Sequence, residues 1–262
     1  MQVVGSFHFK PITFHLLFFF FKLLAATDTL SPLHSLTENH TLVSKSGTFE
    51  LGFFTPGNSG NRYLGIWYKD IKPKTVVWVA NREIPTKDTS LVLHINTTTQ
   101  NIVLLSQNKT IIWSATPKTK PHNPVLQLLD SGNLALKEQL DDEDSEKFLW
   151  QSFDYPGDTL LPGMKLGKDL RTGHDRRLMA WKNENDPSPG NLTWGMHVTS
   201  YPELMQWTGS KKSFNSGPWN GIEYSGKPTT KRHPVFDFIY FSNEDEVYYM
   251  FRLWNNSVKA RM

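Results

Sequence analysis

The sequence contains no cysteine among its 262 residues. This absence excludes a disulfide framework, a thiol nucleophile and a cysteine-ligated zinc site. An excess of one charge is also missing, because 28 lysines and arginines stand against 25 acidic residues. A strongly basic surface of the kind that binds nucleic acid is therefore lacking, and no nucleic-acid partner is predicted.

Signatures of catalysis are missing as well. The sequence has no G-x-S-x-G turn, no dinucleotide-binding glycine pattern, no P-loop and no H-E-x-x-H pattern. The acidic run at 141–146 lacks the alternating oxygen ligands and the turn glycine of a calcium loop, so it is predicted to be a solvated hairpin tip. We therefore expect no enzyme, no cofactor and no metal site.

One long hydrophobic run stands at the N-terminus. Lys10 precedes an apolar stretch from Pro11 to Ala26, which His15 and Lys22 interrupt. A membrane span needs about 20 predominantly apolar residues, whereas a short run behind a basic residue that ends on small residues is typical of a signal peptide. The sequence predicts a signal peptide over residues 1–27, with an uncleaved anchor as the alternative.

Glycosylation sequons follow that segment. Five N-x-S/T sequons without a central proline occur at Asn39, Asn96, Asn108, Asn191 and Asn255. Sequons behind a signal peptide indicate a glycosylated product of the secretory pathway. We expect the chain to be secreted or extracellular, and to lie at the plasma membrane if it is part of a longer receptor.

The rest of the chain has the pattern of short strands. Apolar residues alternate at period two over residues 49–53 and 91–95, and again on both sides of the turn at 130–133. Successive side chains of a strand point to opposite faces of the sheet, so this period indicates half-buried strands and hairpins. No segment carries a helical stripe, and we predict an all-β fold.

A repeat is visible within this pattern. The unit Gly-x-apolar-x-apolar occurs at 47–51 and 132–136, with a related unit at 100–104. One hairpin cannot bury its apolar face alone, so three similar hairpins predict pseudo-threefold packing around a shared core. We expect the tryptophans of this region to lie in the core: they are Trp67, Trp78 and Trp113. The spacing recurs at 190–196, which predicts a second, diverged copy.

Six motifs occur in a fixed order along the chain. They are FELGFF at 49–54, YLGIWYK at 63–69, VVWVANR at 76–82, LLDSGNL at 128–134, WQSFDYP at 150–156 and GPWNG at 217–221. This ordered set resembles the extracellular region of plant S-locus glycoproteins and of the G-type lectin S-receptor-like Ser/Thr kinases. The resemblance extends from about residue 28 to the end of the chain.

The resemblance implies a domain organisation. A bulb-type mannose-binding lectin domain, a β-prism of three antiparallel subdomains, is expected over residues 28–150. Residues 151–187 are predicted to be a connector, and residues 188–262 a second, lectin-like and incomplete S-locus glycoprotein domain. Family members continue into EGF-like, PAN, transmembrane and kinase parts, and we expect this chain to be truncated before them.

The resemblance also implies candidate sugar-binding residues. Bulb lectins hold mannose with a Q-x-D-x-N-x-V-x-Y strand, and this chain keeps only Asn101 and Val103 of it on the second hairpin, only Asn133 on the third, and nothing on the first. Each lost polar partner leaves a sugar hydroxyl without its hydrogen bond, which costs about 1 to 3 kcal/mol of binding free energy. We therefore predict a degenerate site, and we favour a role for Asn101 and Asn133 as turn-forming residues.

These observations predict a non-catalytic extracellular recognition module. Its predicted partner is a protein or peptide ligand, a like chain in a homodimer, or a related receptor, and the resemblance implies a link to pollen recognition and defence signalling. Two alternatives stay open. The first is that the chain is a lectin for mannose-type glycans, and the second is that it is a non-functional fragment of a truncated receptor.

Overall fold

The structure is a computed structural model, which describes residues 27–140, 147–221, 223–226, 233–255 and 257–262. The predicted signal peptide, apart from Thr27, and the acidic run at 141–146 lie outside the described residues. Within the described residues the chain is built from strands, and its single helical element is a 3-10 turn at Ser152–Asp154. The prediction of an all-β fold is confirmed.

Twenty strands make up this fold. In chain order they are β1 Thr29–Leu30, β2 Ser35–Thr37, β3 Leu42–Val43, β4 Phe49–Phe54, β5 Tyr63–Tyr68, β6 Val76–Val79, β7 Val92–Ile95, β8 Ile102–Leu105, β9 Ile111–Ala115, β10 Pro124–Leu128, β11 Leu134–Glu138, β12 Trp150–Gln151, β13 Leu166–Asp169, β14 Asp175–Arg176, β15 Leu178–Asn183, β16 Asp186–His197, β17 Glu203–Thr208, β18 Lys211–Pro218, β19 Phe236–Ser242 and β20 Glu246–Leu253.

The strands form five four-stranded sheets. The first sheet has the order β3-β4-β5-β6, the second β2-β7-β8-β9 and the third β1-β10-β11-β12. The fourth has the order β14-β13-β20-β19 and the fifth β15-β16-β17-β18. Every strand pair is antiparallel. Most pairs are hairpins of consecutive strands, whereas β1–β10, β2–β7 and β13–β20 join stretches that are distant in the sequence.

The turn between β10 and β11 shows how local sequence sets the register. Leu126 pairs with Leu136 and Leu128 with Leu134, as the alternation predicts. Gly132 in this turn has a φ of 84°, and a Cβ there would approach the Phe49 ring to 2.9 Å. Glycine has no Cβ and adopts a positive φ without strain, so it satisfies both constraints.

The first three sheets pack around a cluster of three tryptophans. Trp78 of β6, Trp113 of β9 and Trp150 of β12 meet edge to face, with ring centroids 6.0, 6.2 and 5.8 Å apart and interplanar angles between 65° and 79°. Edge-to-face contacts between large rings are worth about 0.5–1.5 kcal/mol each beyond their buried area. One ring comes from the last strand of each sheet, which gives the predicted pseudo-threefold arrangement.

Trp67 lies in the core, but away from this cluster. It packs in a smaller group of buried residues that includes Phe54, and its Nε1 donates a hydrogen bond to Glu50 at 2.8 Å. The third ring on the axis is Trp150, which belongs to the WQSFDYP motif but is not among the tryptophans that the sequence assigns to the core. Core placement is confirmed for Trp67 and Trp78, and Trp113 packs against the same core while partly exposed.

The fourth and fifth sheets form the second half of the chain. β19 and β20 pair near the end of the chain, and the repeat at 190–196 lies within β16. Residues 151–187, the expected connector, contain β13, β14 and β15, and β13 pairs with β20. The boundaries at 28–150, 151–187 and 188–262 remain a prediction.

Removal of one axial ring should destabilise the first three sheets together. We expect Trp150→Ala to lower the free energy of unfolding by about 3–5 kcal/mol, because the ring is buried and its loss leaves a cavity. Chemical denaturation measures this value. Tyr201→Ala serves as the control, because that side chain is 74% exposed and its loss should change stability by less than about 0.5 kcal/mol. Equal losses in both variants would contradict the role of the cluster.

Candidate functional site

Asn133 of the third hairpin is engaged inside the molecule. The residue is 3% exposed, and its Nδ2 donates to Gln151 Oε1 at 2.9 Å. Its Oδ1 accepts hydrogen bonds from Ser152 Oγ at 3.1 Å and from the Phe153 amide at 3.2 Å. Both functions of the amide therefore join the β10–β11 turn to the 3-10 turn. A sugar hydroxyl would have to replace these bonds to use this side chain.

The second hairpin holds Asn101 and Val103 in different surroundings. Asn101 is half-buried, its main-chain oxygen accepts from the Asn96 amide at 2.8 Å, and it follows Gln100, which has a φ of 61°. Val103 is buried within β8, opposite His94 and Ser114. The structure thus does not bring Asn101 and Val103 together with Asn133. The assignment of these three residues to a sugar site remains a prediction.

The first hairpin uses its polar side chains internally. Glu50 accepts hydrogen bonds from Thr41 Oγ1 at 2.9 Å and from Trp67 Nε1 at 2.8 Å. Ser44 is buried, and its Oγ accepts from the Phe49 amide at 3.1 Å. These bonds stabilise the hairpin, and they occupy the two polar side chains that a ligand on this strand would otherwise meet.

Arg82, in the VVWVANR motif, joins the two halves of the chain. Its Nε donates to the carbonyl of Pro187 at 2.9 Å, and its Nη2 to the carbonyls of Met179 and Ala180, both at 3.1 Å. Burial lowers the pKa of this guanidinium. A guanidinium is planar and has five N–H donors, so this one side chain can bind all three carbonyls of the fifth sheet.

A buried ion pair forms a second link between the halves. Arg176 Nε lies 2.8 Å from Asp154 Oδ1, and both side chains are less than 10% exposed. His174 Nε2 donates to the Asp154 carbonyl at 2.6 Å. Burial alone would raise the pKa of Asp154, but the hydrogen bond and charge of Arg176, with a smaller contribution from Lys118, lower it below its usual value.

The segment at 257–262 forms a third link. The amide and carbonyl of Met262 exchange hydrogen bonds with those of Leu160, at 3.0 and 2.8 Å. The Tyr68 hydroxyl donates to the Ala260 carbonyl at 3.0 Å. Lys259 Nζ stands 3.7 Å from Asp70 Oδ2. This segment therefore contacts the first sheet as well as the chain that follows the 3-10 turn.

A cleft of about 590 Å³ opens where the tryptophan cluster faces the second half. We name it the axial cleft. Its lining includes Glu83, Trp113, Tyr155, His174, Asp175 and Arg177. Sequence reasoning missed this cleft, although the motifs at 76–82 and 150–156 supply one of its walls. One sequence feature could have indicated it. These motifs contain polar and aromatic residues that the alternation of the strands does not place in the core.

The glycosylation sequons lie on the surface or close to it. Asn39, Asn108, Asn191 and Asn255 are exposed, whereas Asn96 is half-buried. Asn96 Oδ1 accepts hydrogen bonds from the amides of Thr98 and Thr99, both at 2.9 Å. Glycosylation at these five positions stays a prediction.

Two kinds of feature are absent from the described part of the chain. Within it, no group of three or more histidine or acidic side chains is placed to hold a metal ion. The same residues include no helix with the length and apolar character needed to cross a membrane.

The internal role of Asn133 can be tested by stability. We expect Asn133→Ala to lower the free energy of unfolding by about 1–3 kcal/mol, because it leaves buried groups of the 3-10 turn without partners. Asn101→Ala is the matched control, with an expected change below about 0.5 kcal/mol. Chemical denaturation of both variants measures the difference. A neutral Asn133→Ala would contradict the structural role.

The ion pair predicts a specific acid dependence. Because the folded-state pKa of Asp154 is lowered, its contribution is present above the unfolded-state pKa of about 4 and is lost as pH falls through the folded value. We expect Asp154→Asn to cost about 3–5 kcal/mol at pH 7 and less at lower pH. Denaturation from pH 7 to pH 3 measures this. Asp237→Asn is the control, because its pair with Arg252 is exposed and worth less than about 1 kcal/mol. A pH-independent difference for Asp154→Asn would contradict the assignment.

Comparison with known proteins identifies relatives of this chain. The family described as D-mannose binding lectin matches residues 75–182. The S-locus-specific glycoprotein S6 of Brassica oleracea is 41% identical over 258 residues, which cover 96% of this chain and 58% of the relative. The receptor-like serine/threonine-protein kinase SD1-8 of Arabidopsis thaliana is 40% identical over 264 residues, or 96% of this chain and 31% of the relative.

Solved lectin structures are also similar to this chain. A Marasmius oreades lectin is 21% identical, with a TM-score of 0.36, over 48% of this chain and 90% of that one. The fetuin-binding two-domain agglutinin of Scilla campanulata is 13% identical, with a TM-score of 0.34, over 87% of this chain and 99% of that one.

The curated relatives are longer than this chain. The chain spans 58% of the length of the S6 glycoprotein and 31% of the length of the SD1-8 kinase. The similarity nevertheless extends over most of the chain, and it includes the region that the motifs single out. The resemblance inferred from those motifs is confirmed. Over most of its length the chain is a homologue of the S-locus glycoproteins and G-type lectin S-receptor-like kinases, and its residues 75–182 match the D-mannose binding lectin family.

Proposed function

We propose that the chain is a non-catalytic, extracellular recognition module that binds a protein or peptide ligand or another chain of the same fold. One observation carries the proposal. Asn133, the single matching residue on the third hairpin, has both functions of its amide in internal hydrogen bonds. A mannose site at the hairpins would have to work without that amide. On the second hairpin, where Asn101 and Val103 match the motif, only Asn101 has a polar side chain that could bind a sugar.

The edges of the sheets offer a surface for a polypeptide partner. β9 and β19 each end a sheet, so one side of each strand carries backbone groups that its own sheet does not pair. Ile111 at the start of β9 is 59% exposed, and β19 carries a single charged residue, Asp237. A partner strand could add to either edge through main-chain hydrogen bonds. The family link to pollen recognition and defence signalling is the setting in which we propose such binding.

The extracellular setting is part of the proposal, and glycosylation tests it. We expect the chain, when expressed with its own N-terminus in plant cells, to enter the medium and to lose mass on treatment with peptide N-glycosidase. Exposed Asn39, Asn108, Asn191 and Asn255 should be occupied. Peptide mass mapping measures the sites, and Asn→Gln variants are the controls. An unglycosylated chain retained in the cytosol would contradict the proposal.

Two measurements on the glycosylated chain test the choice of ligand. On immobilised mannose we expect no retention that depends on Asn101. Light scattering over a range of concentrations should show self-association, which Phe241→Lys at the β19 edge weakens. Tyr201→Ala is the surface control, because Tyr201 is exposed and lies outside β19. Saturable mannose binding that Asn101→Ala abolishes would overturn the proposal.

Carbohydrate binding is a second candidate function. The observation that favours it is the axial cleft, which lies away from the hairpin motifs and combines aromatic rings with charged side chains.

A further inference from the structure

We propose that the axial cleft binds an uncharged saccharide, with Tyr155 as the surface on which a sugar ring stacks and Arg177, Glu83 and Asp175 as partners of its hydroxyls. This inference rests on the second candidate function, for which it names the site and the class of ligand, and the cleft is distinct from both the hairpin residues and the β19 edge.

Tyr155 provides a fixed apolar surface. Its ring stacks on Trp150, with centroids 5.9 Å apart and an interplanar angle of 16°, and it meets the edge of His174 at 5.1 Å. Its main-chain carbonyl accepts a hydrogen bond from Trp78 Nε1 at 2.9 Å. The side chain is nevertheless 51% exposed. One face of a pyranose is lined with C–H groups of positive polarity, which pack on the electron-rich face of an aromatic ring.

Arg177 provides oriented donors in the same cleft. Its Nε donates to Asp175 Oδ2 at 2.7 Å, and its guanidinium lies over the Trp207 ring, 4.5 Å from the centroid. A guanidinium has five N–H donors in one plane, so the bond to Asp175 orients the group without using up its donors. An oriented donor plane is suited to neighbouring hydroxyls of a ring.

Acceptors for hydroxyl protons line the same cleft. Glu83 is exposed there, and His174 donates Nε2 to a main-chain carbonyl, which leaves Nδ1 as the acceptor of the neutral ring. Asp175 Oδ2 accepts from Arg177 Nε and has a second lone pair, which a ligand hydroxyl can use. The cleft therefore holds acceptors as well as donors for the hydroxyls of a ligand.

The mixture of charges selects the class of ligand. An anion would meet the carboxylates of Glu83 and Asp175, and a cation would meet the guanidinium of Arg177. A neutral ring with several hydroxyls both donates and accepts, so it uses both kinds of group without repulsion. The volume of about 590 Å³ falls within the range of small-ligand sites.

Binding of defined sugars to the full glycosylated chain tests the proposal. The probes are methyl α-mannoside, cellotriose and xylotriose as uncharged ligands, and trigalacturonate as a charged one, each titrated by calorimetry with tryptophan fluorescence as a second signal. We expect saturable binding of at least one uncharged probe and a change of fluorescence, because Trp113 and Trp150 line the cleft.

Variants locate the binding in the cleft. Tyr155→Ala and Arg177→Met should each weaken binding by about tenfold or more, whereas Tyr155→Phe keeps the ring and should retain it. Tyr201→Ala and Asn101→Ala should leave binding unchanged. Thermal unfolding of each variant separates loss of binding from loss of fold.

Three results would overturn the inference. They are the absence of saturable binding for every uncharged probe, binding that Tyr155→Ala leaves unchanged in a folded protein, and preferential binding of trigalacturonate. None of these results alters the self-association measurement at β19, so failure of the cleft proposal and failure of the protein-partner proposal are distinguishable.

Discussion

The contact of three tryptophan rings is the interaction on which the first half of the chain depends. A sheet of four short strands has an apolar face that it cannot bury by itself. Trp78, Trp113 and Trp150 each come from the last strand of a different sheet, so their contact requires all three sheets to be formed and correctly placed. The three hairpins are thereby made mutually dependent, and their turns and edges become fixed positions on one body.

The motifs that mark the family hold the architecture together. Arg82 binds three carbonyls of the second half, Asp154 pairs with Arg176 across the same boundary, and Asn133 joins a hairpin turn to the 3-10 turn. A residue that serves such a network tolerates little change, because its loss leaves buried partners unsatisfied. This explains how the motifs identify the relatives while saying little about the ligand.

The strands and their hairpin register were predictable, because both follow from short-range alternation and turn chemistry. Leu126 faces Leu136 for this reason alone. Trp150 was not recognisable as the third axial ring, because it lies in a strand of two residues with no alternation to read. The partners of Arg82 lie about a hundred positions away in the sequence, and no local pattern points to them. The axial cleft exists only once those distant segments meet.

The attachment of the segment at 257–262 has a mechanical consequence. The second half continues covalently from β12, and it is tied back through the exchanged main-chain bonds of Leu160 and Met262 and the hydroxyl of Tyr68. Together with the three carbonyl contacts of Arg82, these attachments hold the second half at several points, so it does not rotate freely about the covalent connection. A force on the fourth and fifth sheets is therefore shared among several attachments and is transmitted to the first three sheets.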